Sequence, residues 1–128
     1  MESDRTVFVV MMDGDRAVGD SLRALIDSIG YTVRVYGSGE DFRSAHKPSL
    51  RGCLVIDLNP SDRSAVQFIE NLFDAGFDMP IIVTTEYDPA VERVWALPAG
   101  VVALLQRPFL DELLADTIER ALAANPYA

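Results

Sequence analysis

Cys53-Leu54-Val55-Ile56 is an unbroken apolar run that stops on a carboxylate, Asp57, and is followed by Asn59-Pro60. A strand that is apolar on both of its alternating sides belongs in the middle of a sheet covered on both faces. Asn59-Pro60 is turn chemistry that steers the chain out of that core. Ligands of open α/β sheets bind at the carboxyl ends of the strands, so Asp57 stands where such a fold does its chemistry. From position alone, an Asp that caps the next helix or sits solvated in a loop reads the same way.

Strand-like and helix-like segments alternate five times along the chain, the pattern of a doubly wound α/β fold with a parallel sheet. The first apolar run, 7–12, ends at Asp13-Gly14-Asp15. Asp15 is placed to cap a helix with Val18, Leu22, Leu25, Ile26 and Ile29 on one face, and Gly30 to end it. Residues 31–36 alternate like a strand nearer the edge, with Thr32 and Arg34 on one side. Gly37-Ser38-Gly39 turns into a short helix over 40–46. After the central strand, Ser64 can cap a third helix whose core face reads Val66, Ile69, Leu72 and Phe73, closed by Gly76. Residues 80–85 form the fourth strand, and Asp88-Pro89 opens a fourth helix that Pro98 and Gly100 end. The fifth strand runs over 101–105, and Arg107-Pro108-Phe109 leads into a last helix with Leu110, Leu113, Leu114, Ile118, Ala121 and Leu122 on one face.

The 128 residues make one domain, with its core over about 6–124 and enough apolar sequence to need no staples. A net charge of −9, with 11 scattered basic residues, argues against direct nucleic-acid binding, which needs clustered cations. One cysteine cannot form an internal disulfide, which fits a reducing cytoplasm, and Cys53 reads as a small buried hydrophobe. No apolar run approaches the length of a membrane span, and the first residues show no signal peptide.

Asp13 with Asp15, Asp57 with Asn59, then Thr85 and Arg107, all fall at strand ends on one edge of the sheet. Clustered carboxylates there suit Mg²⁺, a hard cation that takes oxygen ligands. A hydroxyl and a cation beside the same carboxylate suit an anionic phosphoryl group carried on it.

Several segments resemble the receiver domains of two-component response regulators, especially those of nitrogen-fixation-type regulators. They are Val7-Phe8-Val9-Val10, Ala17-Val18-Gly19-Asp20-Ser21-Leu22-Arg23, Tyr36-Gly37-Ser38-Gly39-Glu40-Asp41-Phe42, Leu54-Val55-Ile56-Asp57-Leu58, Ala99-Gly100 and Arg107-Pro108-Phe109. The resemblance implies a flavodoxin-like sheet of order 2-1-3-4-5. It implies Asp57 as phosphoacceptor, charged by a histidine kinase or phosphotransfer protein with Mg²⁺ present, in a bacterial phosphorelay. It also implies Thr85 as the switch hydroxyl and the Asn59 backbone carbonyl as a metal ligand, beside Asp13 and Asp57.

The departures from the family pattern cluster around the same site. Receivers end the first strand with two acids. In the ungapped register Asp13 takes the first of these positions and Gly14 the second, so one metal ligand is lost unless Asp15 bends inward. In a second register Met11-Met12 fall on the acidic pair, with two residues inserted afterwards. Arg107 stands for the family's lysine, and the two cations are not interchangeable. Leu104 stands for the aromatic switch residue, Asn59-Pro60-Ser61-Asp62 for a Met-Pro-Gly loop, and Ala65 for a glycine.

Two readings follow. One is a phosphorylatable receiver that switches through its fourth helix, fifth strand and fifth helix. The other is a phosphorylation-independent interaction or dimerisation module, in which Arg107 pairs with Asp57 and holds the site shut. Trp95 on the fourth helix would mark a dimer surface, or else folds back over its own core. An enzyme is disfavoured, since no Gly-rich phosphate loop, nucleophile elbow or His ligand cluster occurs and His46 reads as solvated.

Overall fold

The structure is a computed structural model that describes residues 6–12, 15–45, 51–59, 62–86, 98 and 100–124. Its strands are β1 (Thr6–Met11), β2 (Thr32–Tyr36), β3 (Cys53–Asp57), β4 (Ile81–Glu86) and β5 (Val101–Arg107). The helices are α1 (Arg16–Ser28), α2 (Gly39–Ala45), α3 (Arg63–Asp74) and a C-terminal helix, Asp111–Ala124. All pairings are parallel, and the sheet order is β2-β1-β3-β4-β5, with the apolar strand β3 at its centre. Thr32 and Arg34 are exposed on the edge strand β2. The expected fourth helix with Asp88-Pro89 and Trp95, and likewise Asp13, Gly14 and His46, lie outside the described residues.

Alternation along the strands divides the core in two. Phe8, Val10, Leu54, Ile56, Ile81 and Val83 pack against Phe42 of α2 and against Ala65, Phe68, Ile69 and Leu72 of α3. Val7, Val9, Met11, Cys53, Val55, Ile82 and Leu105 meet Leu22 and Ile26 of α1 and Leu114, Ile118 and Ala121 of the C-terminal helix. All five residues of β3 are buried, and each fully buried aliphatic side chain stabilises by about 1.5–3 kcal/mol.

Helix ends follow local chemistry. Asp15 caps α1, its carboxylate accepting from the Val18 amide at 3.2 Å. Gly30 and Gly76 follow α1 and α3 with φ of 98° and 86°, the left-handed turn that glycine adopts freely. Ser64 is not the cap of α3. Asp62 is, accepting from both the amide and the hydroxyl of Ser64 at 2.9 and 2.6 Å.

The helix therefore begins at Arg63, and its buried stripe is Ala65, Phe68, Ile69 and Leu72. Val66 is half-buried, and Phe73, one step round the helix, is 50% exposed. The last helix differs in the same way. It begins at Asp111 and buries Leu114, Ile118 and Ala121 at i, i+4 and i+7, leaving Leu110 and Leu113 exposed. At Gly39 the ring of Phe68 comes so near that an added Cβ would lie 2.8 Å from Cε1.

Candidate functional site

The carboxyl ends of β1, β3, β4 and β5 meet at Asp57. Its backbone is fixed from both neighbouring strands: the Met12 amide donates to the Asp57 carbonyl at 2.9 Å, and the Leu58 amide donates to the Thr84 carbonyl at 3.1 Å. The register pairs Asp57 with Met11 on one side and Thr84 on the other. Residues opposite one another across a sheet project to the same face, so Thr84 and Asp57 point the same way. The Thr84 hydroxyl donates to Asp57 Oδ1 at 2.7 Å. Arg107, last residue of β5, reaches across β4 and donates from Nη1 to that same oxygen.

The Asp57 side chain is 3% exposed and that of Arg107 26%. A carboxylate this deep needs a countercharge and hydrogen bonds, since burial of a lone ion is heavily penalised. Here one guanidinium and one hydroxyl supply them. Thr85 is also buried, and its partner in register is Gln106. Strand alternation sets Thr85 with Val83 on the opposite face from Thr84. The hydroxyl bonded to Asp57 is therefore that of Thr84, a residue the sequence reading passed over. Its signal lay in the cross-strand register, which a single strand does not display.

The other candidate ligands are occupied differently. Asp15 is exposed and uses its carboxylate on the α1 cap. The Asn59 carbonyl accepts from the Asp62 amide at 2.9 Å. Asp13 lies outside the described residues. Among the described residues no group of three or more His, Cys, Asp or Glu converges as a metal cage would require. A hard divalent cation wants several oxygen ligands, and with Asp57 Oδ1 already holding two donors the described residues do not complete such a site. Leu104 is half-buried against the α3-side core, and Ala65 is fully buried there.

A central carboxylate at a strand end, a cation from the last strand and the order 2-1-3-4-5 define a class of signalling domain. Residues 9–119 match the response regulator receiver domain, and the chain belongs to that family. It is 37% identical over 120 residues to the transcriptional regulatory protein TdiR of Thauera aromatica, covering 94% of this chain and 52% of TdiR. It is 36% identical over 120 residues to the transcriptional regulatory protein FixJ of Rhizobium meliloti, covering 93% and 57% of the two. The crystal structure of FixJ-N superimposes with a TM-score of 0.80 at 34% identity, over 94% of this chain and 95% of that one. The chain spans about half the length of these curated relatives. Receiver domains interact with histidine kinases or phosphotransfer proteins and generally bind Mg²⁺ at their acidic site. Among the described residues no helix is long and apolar enough to cross a membrane.

Proposed function

We propose that this receiver accepts a phosphoryl group on Asp57 from the phosphohistidine of a kinase or phosphotransfer protein in the cytoplasm. The observation that carries this reading is the buried Asp57 carboxylate at the end of β3, bonded on one oxygen by Arg107 and Thr84. A carboxylate oxygen attacks phosphorus, forming an O–P bond as the P–N bond breaks and its electron pair returns to the imidazole. Arg107 then offsets the charge brought in by the phosphoryl group. Thr85, the switch hydroxyl that the family resemblance implies, lies next to Thr84 in β4 but on the opposite face from Asp57, so Thr84 is the hydroxyl on the side of the phosphoacceptor. The proposed chemistry is phosphoryl transfer onto this one side chain.

A groove of about 1060 Å³ between α1 and the start of the C-terminal helix supports the partner assignment. Val18, Ser21, Leu25, Arg107 and Phe109 line it beside the site. The names of the relatives point to an output on transcription. Dimerisation through the face that includes β5 is the proposed route to that output.

Intact-mass measurement after incubation with acetyl phosphate tests the reading. The wild type should gain one phosphoryl group and Asp57→Asn none. A wild type that gains nothing, with and without Mg²⁺, would return the chain to a phosphorylation-independent interaction module.

A further inference from the structure

Thr84 and Thr85 stand side by side near the end of β4, yet only Thr84 stands opposite Asp57 in the register. Thr84 is fully buried. Burying a hydroxyl costs free energy unless it is bonded, and Asp57 Oδ1 is its acceptor at 2.7 Å. We propose that Thr84 is a positioning residue for phosphoryl transfer, fixing which oxygen of Asp57 reacts and shortening the life of the phosphorylated state. The inference rests on the reading of Asp57 as phosphoacceptor.

Oδ1 accepts both the Thr84 hydroxyl and the Arg107 guanidinium. Attack therefore falls to Oδ2, whose lone pair forms the bond to phosphorus while the donor's bond to phosphorus breaks. Oδ1 then becomes the carbonyl oxygen of the acyl phosphate. A hydrogen bond to an ionised carboxylate is roughly twice as strong as one to a neutral carbonyl. Thr84 thus stabilises the free carboxylate more than the acyl phosphate.

In hydrolysis, water attacks phosphorus and the Oδ2–P bond breaks. Its electron pair returns to the carboxylate, and inorganic phosphate and a proton are released. The hydroxyl on Oδ1 strengthens its bond as that charge returns, which lowers the barrier. Arg107 would act on the phosphoryl group as well as on Oδ1, so its removal mixes two effects. Thr84 is neutral and acts through the carboxylate.

The experiment loads the protein with acetyl phosphate in buffer containing Mg²⁺, removes the donor and follows decay by intact mass. Thr84→Val keeps the side-chain shape and loses the hydroxyl, whereas Thr84→Ser keeps the hydroxyl and loses the methyl. The valine variant should decay about fivefold more slowly than wild type, and the serine variant at the wild-type rate. Thr84→Ala beside Thr84→Ser gives the same contrast if the valine variant does not fold. Equal decay of the valine variant and wild type overturns the inference, as does a serine variant slowed as much as the valine one. A wild type that takes up no phosphoryl group, or an Asp57→Asn variant that takes it up equally, removes the reading of Asp57 and the inference with it.

Discussion

β3 carries an ionisable side chain at each end, four residues apart and both buried: Cys53 where the strand enters the core and Asp57 where it leaves. They face the same side of the sheet, and the protein treats them in opposite ways. Around Cys53 there is apolar packing from Val7, Val55 and the neighbouring helices, and burial pushes the thiol up to about 12, so it stays neutral. Asp57 instead receives a guanidinium and a hydroxyl on one oxygen. The difference teaches where this fold can hold charge. The entering end of the strand is sealed by side chains of the core, while at the leaving end β4 and β5 also finish and bring polar termini together.

Removing the cation should make Asp57 resemble Cys53, an ionisable group buried with too little compensation. Arg107→Met is expected to cost about 2–3 kcal/mol, below the full range for a buried pair because Arg107 is partly exposed. Urea unfolding with an unchanged slope would measure it. Adding Asp57→Asn to Arg107→Met should recover much of the loss.

At the other end of the strand, the thiol makes stability fall on the alkaline side. Its value in the fold lies above the ordinary 9.0, so its contribution is complete below that pH and is lost as pH rises toward about 12. At pH 10 the loss should be on the order of 1 kcal/mol. Subtracting the pH profile of Cys53→Ala isolates it, and identical alkaline slopes in the two proteins would refute this.

The exposed carboxylates at the helix caps serve as controls. Asp15→Ala should cost about 1 kcal/mol, and Asp15→Asn, which still caps, only a few tenths. A loss on Asp15→Asn as large as that on Arg107→Met would mean that Asp15 belongs to the charged site after all. The smallest effect is expected at Asp62, where the Ser64 hydroxyl and then its amide hold the carboxyl below its ordinary 3.8. Its contribution is present above that pH and lost as pH falls through the lower value in the fold. Asp62→Asn should therefore slightly flatten the acid limb of a helix-content titration.

Much of the fold was legible in the sequence because strand and helix periods are local. The apolar run of β3, the Asp15 cap and the glycines after α1 and α3 each follow from a few neighbouring residues. What escaped depended on phase or on partners distant in sequence. Moving the α3 cap from Ser64 to Asp62 goes with a different stripe, bringing Phe68 inward and leaving Phe73 at the rim. Leu110 and Leu113 looked like core by composition, but the face of the C-terminal helix is set by Leu114, Ile118 and Ala121. At the site, Asp57 and Arg107 were legible as candidates from their places at strand ends. Thr84 was not, since choosing between two adjacent threonines requires the register of β4 against β3.

The close approach of the Phe68 ring to Gly39 also dictates the order in which the sequence can change. Phe68 is buried among neighbours that leave its ring little room to swing. Alanine at position 39 is therefore open to a lineage only after position 68 has become smaller, and the reverse order passes through an overpacked intermediate. The two sites are sterically coupled through that contact. A library varied at both positions should yield alanine at 39 only beside a trimmed residue at 68, although 29 positions separate them in the chain.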